Sequence, residues 1–328
     1  MNEPKVRPED YIQFLIASPH QYTCTEAAAV QPTQTNPPAH DAFRRLLTRL
    51  EPDPQTLWQE ALTQIRPREG VWVLDDSTLD KPYARHIALV YPHWSGKHHA
   101  VVDGINLLTL LWTDGDHHVP CDWAVYDKPH DGLSKNALFR TVLRRLRDRG
   151  LTPRCICFDS WYGSLDNLKL LRSFGWRWLT RLKSNRSVRL ERGPAVAVRD
   201  AAIASSGTIV WLPGYGLVKV FRIVATDGDT QYWASGDLEL SEMDRLCYAE
   251  QSWAIETYHR GLKQHCGVER CQARRSVAQR NHIGFAIRAF VRLESWCWRH
   301  GSTWFEAKAD IIRNAVRLYL EQPKFTLA

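Results

Sequence analysis

Along this chain the hydrophobic positions keep helical spacing up to about residue 66 and change to strand spacing at Gly70. Asp10–Ile16 and Leu57–Ile65 repeat apolar residues as a helix does, and Ala39–Leu50 gathers Phe43, Leu46, Leu47 and Leu50 on one side. Thr23 predicts an N-cap for a short helix ending near Val30, and the polar, Pro-rich Gln31–Pro38 reads as a loop. Past Gly70 the apolar run Val71–Leu74 stops at Asp75-Asp76. His98–Thr113 and His118–Tyr126 are β-rich, split by the turn Asp114-Gly115-Asp116. Ser134 caps a helix that Gly150 stops, and Arg154–Phe158 is a strand ending at Asp159. Ser164–Phe174 is a helix closed by Gly175, and Trp176–Leu182 is a strand. This order predicts a mixed α/β fold, a mixed sheet with helices on its faces.

From Lys183 to Leu246 the pattern is strand-rich, with turns at Pro213-Gly214-Tyr215-Gly216 and Asp227-Gly228-Asp229. Helical spacing returns near Ser241, and Asn281–Arg299 and Thr303–Leu320 are long closing helices. The expected domains are a helical N-terminal module at 1–66, of a kind that binds DNA ends or serves only as a packing cap, a core at 67–183 and 247–300, a β-rich segment at 184–246, and a C-terminal helical segment at 301–328.

Composition narrows the function classes. The 328 residues carry a net charge of +7, and from Glu250 onward thirteen Lys/Arg face seven Asp/Glu. A second basic cluster runs from Arg140 to Arg154. Such clusters attract polyanions, and the competing reading is a solvated helix face. Fourteen tryptophans supply core and also surfaces on which bases stack. No apolar run reaches membrane-spanning length and no signal peptide precedes residue 30, so a reducing, cytoplasmic setting is expected. The eight cysteines contain no CxxC pair, and His265, Cys266 and Cys271 form a weak metal-like cluster.

The chemistry centres on acids. In Trp253–Lys263, Glu256, Arg260 and Lys263 stand at i, i+4 and i+7 on one helical face, while Ile255, Tyr258 and Leu262 occupy a face that can bury. Asp76 and Asp159 end apolar strands, which places them at a sheet edge where they can be neighbours. Strand alternation sends Asp75 and Asp76 to opposite faces, so one of them enters a site. Phosphodiester transfer uses divalent ions held by such carboxylate oxygens.

The segments Leu74–Lys81, Cys157–Tyr162 and Trp253–Lys263 resemble bacterial insertion-sequence transposases of the DDE superfamily. The resemblance covers about residues 70–300. It implies a ribonuclease-H-like core with an all-β insertion before the Glu helix, filling the 97 positions from Asp159 to Glu256. It implies Asp76, followed by Ser77-Thr78, as first acid, with Asp159 and Glu256 completing a set that binds two Mg²⁺ ions, Mn²⁺ substituting. The family's third motif is Tyr, two residues, Arg, three residues, Glu, six residues, Lys. Glu256 and Lys263 match it, Ser252 stands at the Arg position, Gln251 beside it, and Tyr248 is one residue too far upstream. DNA contacts are expected at Lys263, Arg260, Tyr248 and Lys81. Trp211 is a candidate for stacking an unpaired base, its plainer role being a hydrophobic contact.

The activity implied is cutting of double-stranded DNA at terminal inverted repeats and joining of the 3′-OH to target DNA. A homodimer on DNA at the bacterial nucleoid follows from the need to pair two ends. The alternatives are a nuclease of the same fold that only hydrolyses, and a non-catalytic DNA-binding derivative.

Overall fold

The structure, a computed structural model, describes residues 3–32, 36–95, 99–191, 193–225 and 228–325. Parts of three sequence expectations lie outside them: positions 33–35 of the Pro-rich loop, His98, and Asp227 of the second turn. The helices α1 (Pro8–Ala17), α2 (Cys24–Ala29), α3 (His40–Arg49) and α4 (Pro54–Leu62) come first. Strands β1 (Val71–Asp80), β2 (Tyr91–Ser95), β3 (Ala100–Thr113) and β4 (His118–Val125) follow. Then come α5 (Lys128–Asp131), α6 (Lys135–Asp148), β5 (Ile156–Phe158), α7 (Leu165–Ser173) and β6 (Trp178–Leu182). The next stretch holds β7 (Ser187–Val188), β8 (Val196–Ala197), β9 (Thr208–Leu212), β10 (Gly216–Val224) and β11 (Thr230–Ser235). It ends with α8 (Glu242–Ser252), α9 (Ala254–His265), α10 (Ser276–His300) and α11 (Trp304–Glu321). The predicted caps at Thr23 and Ser134 are in place, and Ser164 and Ser241 cap their helices as well: each hydroxyl accepts from a backbone N–H three residues on. No helix among the described residues is long and apolar enough to cross a membrane.

The chain divides into two compact units. The first comprises Met1–Gln64, Thr78–Asn106 and Thr257–Ala328. The expected separate N-terminal module is here part of the same unit as the C-terminal helices. The reason is α10, which buries side chains around most of its circumference, so α1, α3 and α4 lay their apolar stripes on it. Arg288 and Arg292 of α10 fix that packing by holding Glu60 at 2.6 and 3.0 Å, and Arg292 reaches Glu9 at 2.7 Å. Gly261 lets α9 come close, since a Cβ there would lie 2.5 Å from the Trp304 ring.

Buried polar groups tie the first unit together. His282 lies 3.0 Å from the Gly267 carbonyl through Nε2 and 2.9 Å from the Tyr11 hydroxyl through Nδ1. A carbonyl only accepts, so Nε2 carries the proton, and Tyr11 donates to Nδ1. Burial, helped by the nearby Lys81 charge, pushes the imidazole down to about 4. Lys81 is itself buried, its ammonium donating to the carbonyls of Glu269 and Cys271 at 2.6 and 2.7 Å.

The second unit comprises Ile65–Ser77 and Leu107–Glu256. Its sheet runs β3-β1-β5-β6-β11-β10-β9, with β4 on β3. β5 is parallel to both β1 and β6; β11, β10 and β9 extend the sheet antiparallel. Val71–Leu74 and Ile156–Phe158 are buried throughout, as strands covered on both faces must be. β1 does not stop at Asp76 but continues to Asp80, because β3 remains beside it after β5 ends. Two arginines of the mid-chain basic cluster belong to neither a polyanion surface nor a solvated face, while Arg144, Arg147 and Arg154 are exposed. Arg145 and Arg149 converge on Asp122, which is fully buried, at 2.6 and 2.8 Å, and Arg154 donates to Tyr248.

The His282 arrangement has a pH signature. A base lowered from 6.5 to about 4 by folding contributes its full stability above 6.5 and loses it as pH falls toward 4. Urea unfolding of the wild type between those values is expected to lose up to about 1.4 kcal/mol per pH unit from this group. His282→Gln, which can still donate and accept, should flatten that slope; an unchanged slope disproves the assignment.

Candidate active site

The second unit brings the predicted acids together. Leu74 pairs with Phe158, so the next residues of two adjacent parallel strands are Asp75-Asp76 and Asp159. Asp159 leaves the carboxyl end of β5, where open α/β sheets place their ligands, and Asp75-Asp76 lie within β1 just past its last pair with β5. Asp159 begins the 3₁₀ turn Ser160–Tyr162, and that turn swings Tyr162 back under the first acid. The buried Tyr162 ring stacks on Phe139 at 4.9 Å, and its hydroxyl donates to Asp76 Oδ1. Burial and the charge of Asp76 hold the phenol far above its ordinary value, so it remains a donor. Lys135, the first residue of α6, donates to Asp76 Oδ2 at 2.8 Å.

Asp75 is pushed well above the usual carboxylate range by burial first, then by the charge of Asp76, with Glu256 and Asp159 adding to it. Asp76, Glu256 and Asp159 thus all bear on the charge of Asp75. Asp159 lies 3.9 Å from Arg181. Beside it an exposed aromatic and cationic surface has formed: Lys183 lies 5.4 Å above the Trp161 ring, and Arg181 lies 5.6 Å from the Trp233 ring. Sequence reasoning missed Lys135, Tyr162, Trp161, Arg181 and Lys183. The spacing Asp159 to Tyr162 was the available signal, since one short turn spans it.

Glu256 is exposed in the first turn of α9, and Ile255, Tyr258 and Leu262 are buried as the spacing predicted. Arg260 is exposed and has no ion-pair partner among the described residues. Lys263 donates to the Thr78 carbonyl at 2.7 Å and lies 3.5 Å from Glu269. Trp211 is 45% exposed on β9. Two expected DNA contacts are differently employed. Lys81 is the buried staple described above, and Tyr248 is buried with its hydroxyl taken by Arg154. Neither residue near the family's Arg position offers a cation: Gln251 donates to the Asp114 carbonyl and Ser252 to that of Ala249.

The donor set is all carboxylate, the chemistry that suits a hard divalent ion. Among the described residues, however, no group of three or more His, Cys, Asp or Glu is closed into a metal-holding arrangement. Asp76 is held by Lys135 and Tyr162. In the weak cluster of His265, Cys266 and Cys271, both thiols are free and buried.

A family model described as DDE superfamily endonuclease matches residues 9–203, a span that contains Asp76 and Asp159. The chain belongs to that family. A cryo-EM structure of a piggyBac transposase synaptic complex with hairpin DNA is similar in fold, with a TM-score of 0.55 at 13% identity, covering 99% of this chain and 74% of that one. The mixed sheet is consistent with a ribonuclease-H-like transposase fold. No curated protein matches the chain.

Tyr162→Phe removes one donor to Asp76 while keeping the ring stack. Partners of ligating carboxylates carry about 10–100-fold in affinity or activity. The variant is expected to bind Mn²⁺ that much more weakly in a titration, with unchanged thermal stability. Wild-type affinity in the variant would show that the clamp is idle.

Proposed function

We propose that this chain is a DNA transposase that cuts element ends and joins the freed 3′-OH to target DNA. The observation that carries the proposal is the parallel pairing of β1 with β5, which sets Asp75-Asp76 beside Asp159, while Glu256 bears on the charge of Asp75. Family membership and the fold of a DNA-bound transposase support the same reading. Asp76, Asp159 and Glu256 would hold divalent cations, two Mg²⁺ with Mn²⁺ as substitute, which supply Lewis-acid stabilisation of charge at phosphorus. The protein's own part is to orient Asp76 through Tyr162 and Lys135, and to offer Arg260 to phosphate oxygens. Trp161 and Trp211 present exposed rings on which an unpaired base can stack. Two DNA ends must meet for joining, so the working form on DNA is a homodimer.

The test uses purified full chain with DNA carrying the element's terminal inverted repeats. Asp76→Asn, Asp159→Asn and Glu256→Gln should each lower cation-dependent cleavage by at least about 10²-fold. Joined product distinguishes a transposase from an enzyme that only hydrolyses. Cleavage retained in Asp159→Asn sinks the site assignment.

A further inference from the structure

The first unit holds a cleft of about 450 Å³ whose walls come from α1, α2, α3, the start of α10 and the loop before it. Its floor is apolar, built on Tyr11, Tyr22 and Leu47. Its rim is cationic: Arg44, Arg270, Arg274 and Arg275 all line it and are all exposed. None of the four has an ion-pair partner among the described residues, and no lining residue is Asp or Glu. That pattern differs from Arg145, Arg149, Arg288 and Arg292, which are committed to internal carboxylates.

The cleft is built rather than left over. Tyr22 is pinned between its hydrogen bond to the Ser18 carbonyl at 3.0 Å and Gly267, where a Cβ would come within 2.5 Å of the ring. Lys81 holds the carbonyls of Glu269 and Cys271 from beneath, so the loop carrying three of the arginines is fixed. α3 and α10 both start here with no side-chain cap, at Ala39 and Arg275, leaving backbone N–H groups available to an anion.

We infer that this cleft takes one unpaired nucleotide of a DNA strand, the base on the aromatic floor and the flanking phosphates on the four guanidiniums. An inorganic anion would leave the apolar floor unused, and a neutral apolar ligand would leave the cations unused. A duplex is too wide to enter, while a single nucleotide suits a cavity of this size. The inference rests on the DNA-processing reading above but concerns a surface distinct from the acids of the second unit.

Fluorescence anisotropy on the full chain tests it, using labelled blunt duplex and the same duplex with a single-stranded overhang. The probes are the double variant Arg270→Ala/Arg274→Ala, and Thr48→Trp, which fills the cleft without changing charge. For overhang DNA the double variant should lower the slope of log K against log salt by about 0.7 per lost contact. Thr48→Trp should weaken overhang binding on the order of tenfold, a typical worth of one stacked base. Blunt-duplex binding and the circular dichroism spectrum should stay as in wild type. Equal losses on both DNAs would mean general phosphate attraction and overturn the inference, as would no loss on either. Deoxyadenosine monophosphate binding as tightly as the overhang overturns the strand assignment in favour of a free nucleotide. A wild-type chain that binds neither DNA brings down the transposase reading too, whereas wild-type binding with indifferent variants brings down the cleft alone.

Discussion

Carboxylates brought close to one another repel, and near a protein surface two unit charges 4 Å apart interact by about 4 kcal/mol. This chain imposes such an arrangement through the parallel pairing of β1 with β5. The paired triplets Trp72–Leu74 and Ile156–Phe158 are buried, and burial of large apolar side chains is worth about 1.5–3 kcal/mol each. Summed over both triplets, that outweighs one pairwise repulsion, so the sheet decides where the acids go. Each acid then meets the crowding differently. Asp76 is neutralised by Lys135 and steadied by Tyr162, and Asp159 keeps solvent and Arg181 beside it. Asp75, deepest among them, meets it by holding its proton more tightly.

The first unit solves a different problem, that of keeping an irregular loop rigid. Residues 266–275 belong to neither α9 nor α10. Their carbonyls are met from below by groups that have lost contact with water: His282 at Gly267, Lys81 at Glu269 and Cys271, Gln279 at Cys271 and Ala273. A buried amine or imidazole is costly unless it is bonded, and here the bonds are those the loop backbone needs. The loop's arginines are free to face outward because the loop makes its own connections through its backbone.

Much of this was legible in the residues. The caps at Thr23 and Ser134, the apolar face of α9 and the acids that follow the two buried triplets of β1 and β5 follow from local pattern, since each depends on nearest neighbours along the chain. What escaped depended on partners far apart in sequence. Lys81 looks like any surface lysine until its carbonyl partners about 190 residues later are known. The basic cluster from Arg140 looks like a polyanion surface until the buried Asp122 appears between Arg145 and Arg149. The N-terminal helices look independent because their amphipathic stripes say that they pack, without saying that α10 is what they pack on. Tyr248 matched a spacing by approximation, and its buried hydroxyl serves Arg154 instead.

The two cations on α9 show how one spacing can carry two jobs. Arg260 and Lys263 both follow Glu256 at helical intervals, yet only Lys263 is drawn inward, to the Thr78 carbonyl of β1 and to Glu269. Glu269 in turn accepts from the Asp80 backbone, so Lys263 anchors the far end of the strand that carries the first acid. An ammonium on a flexible stem suits that internal bond, whereas a guanidinium presents a planar fork matched to phosphate oxygens. Arg260 remains exposed with its fork unused, which makes it the residue of this pair equipped to meet DNA, while Lys263 keeps β1 in place.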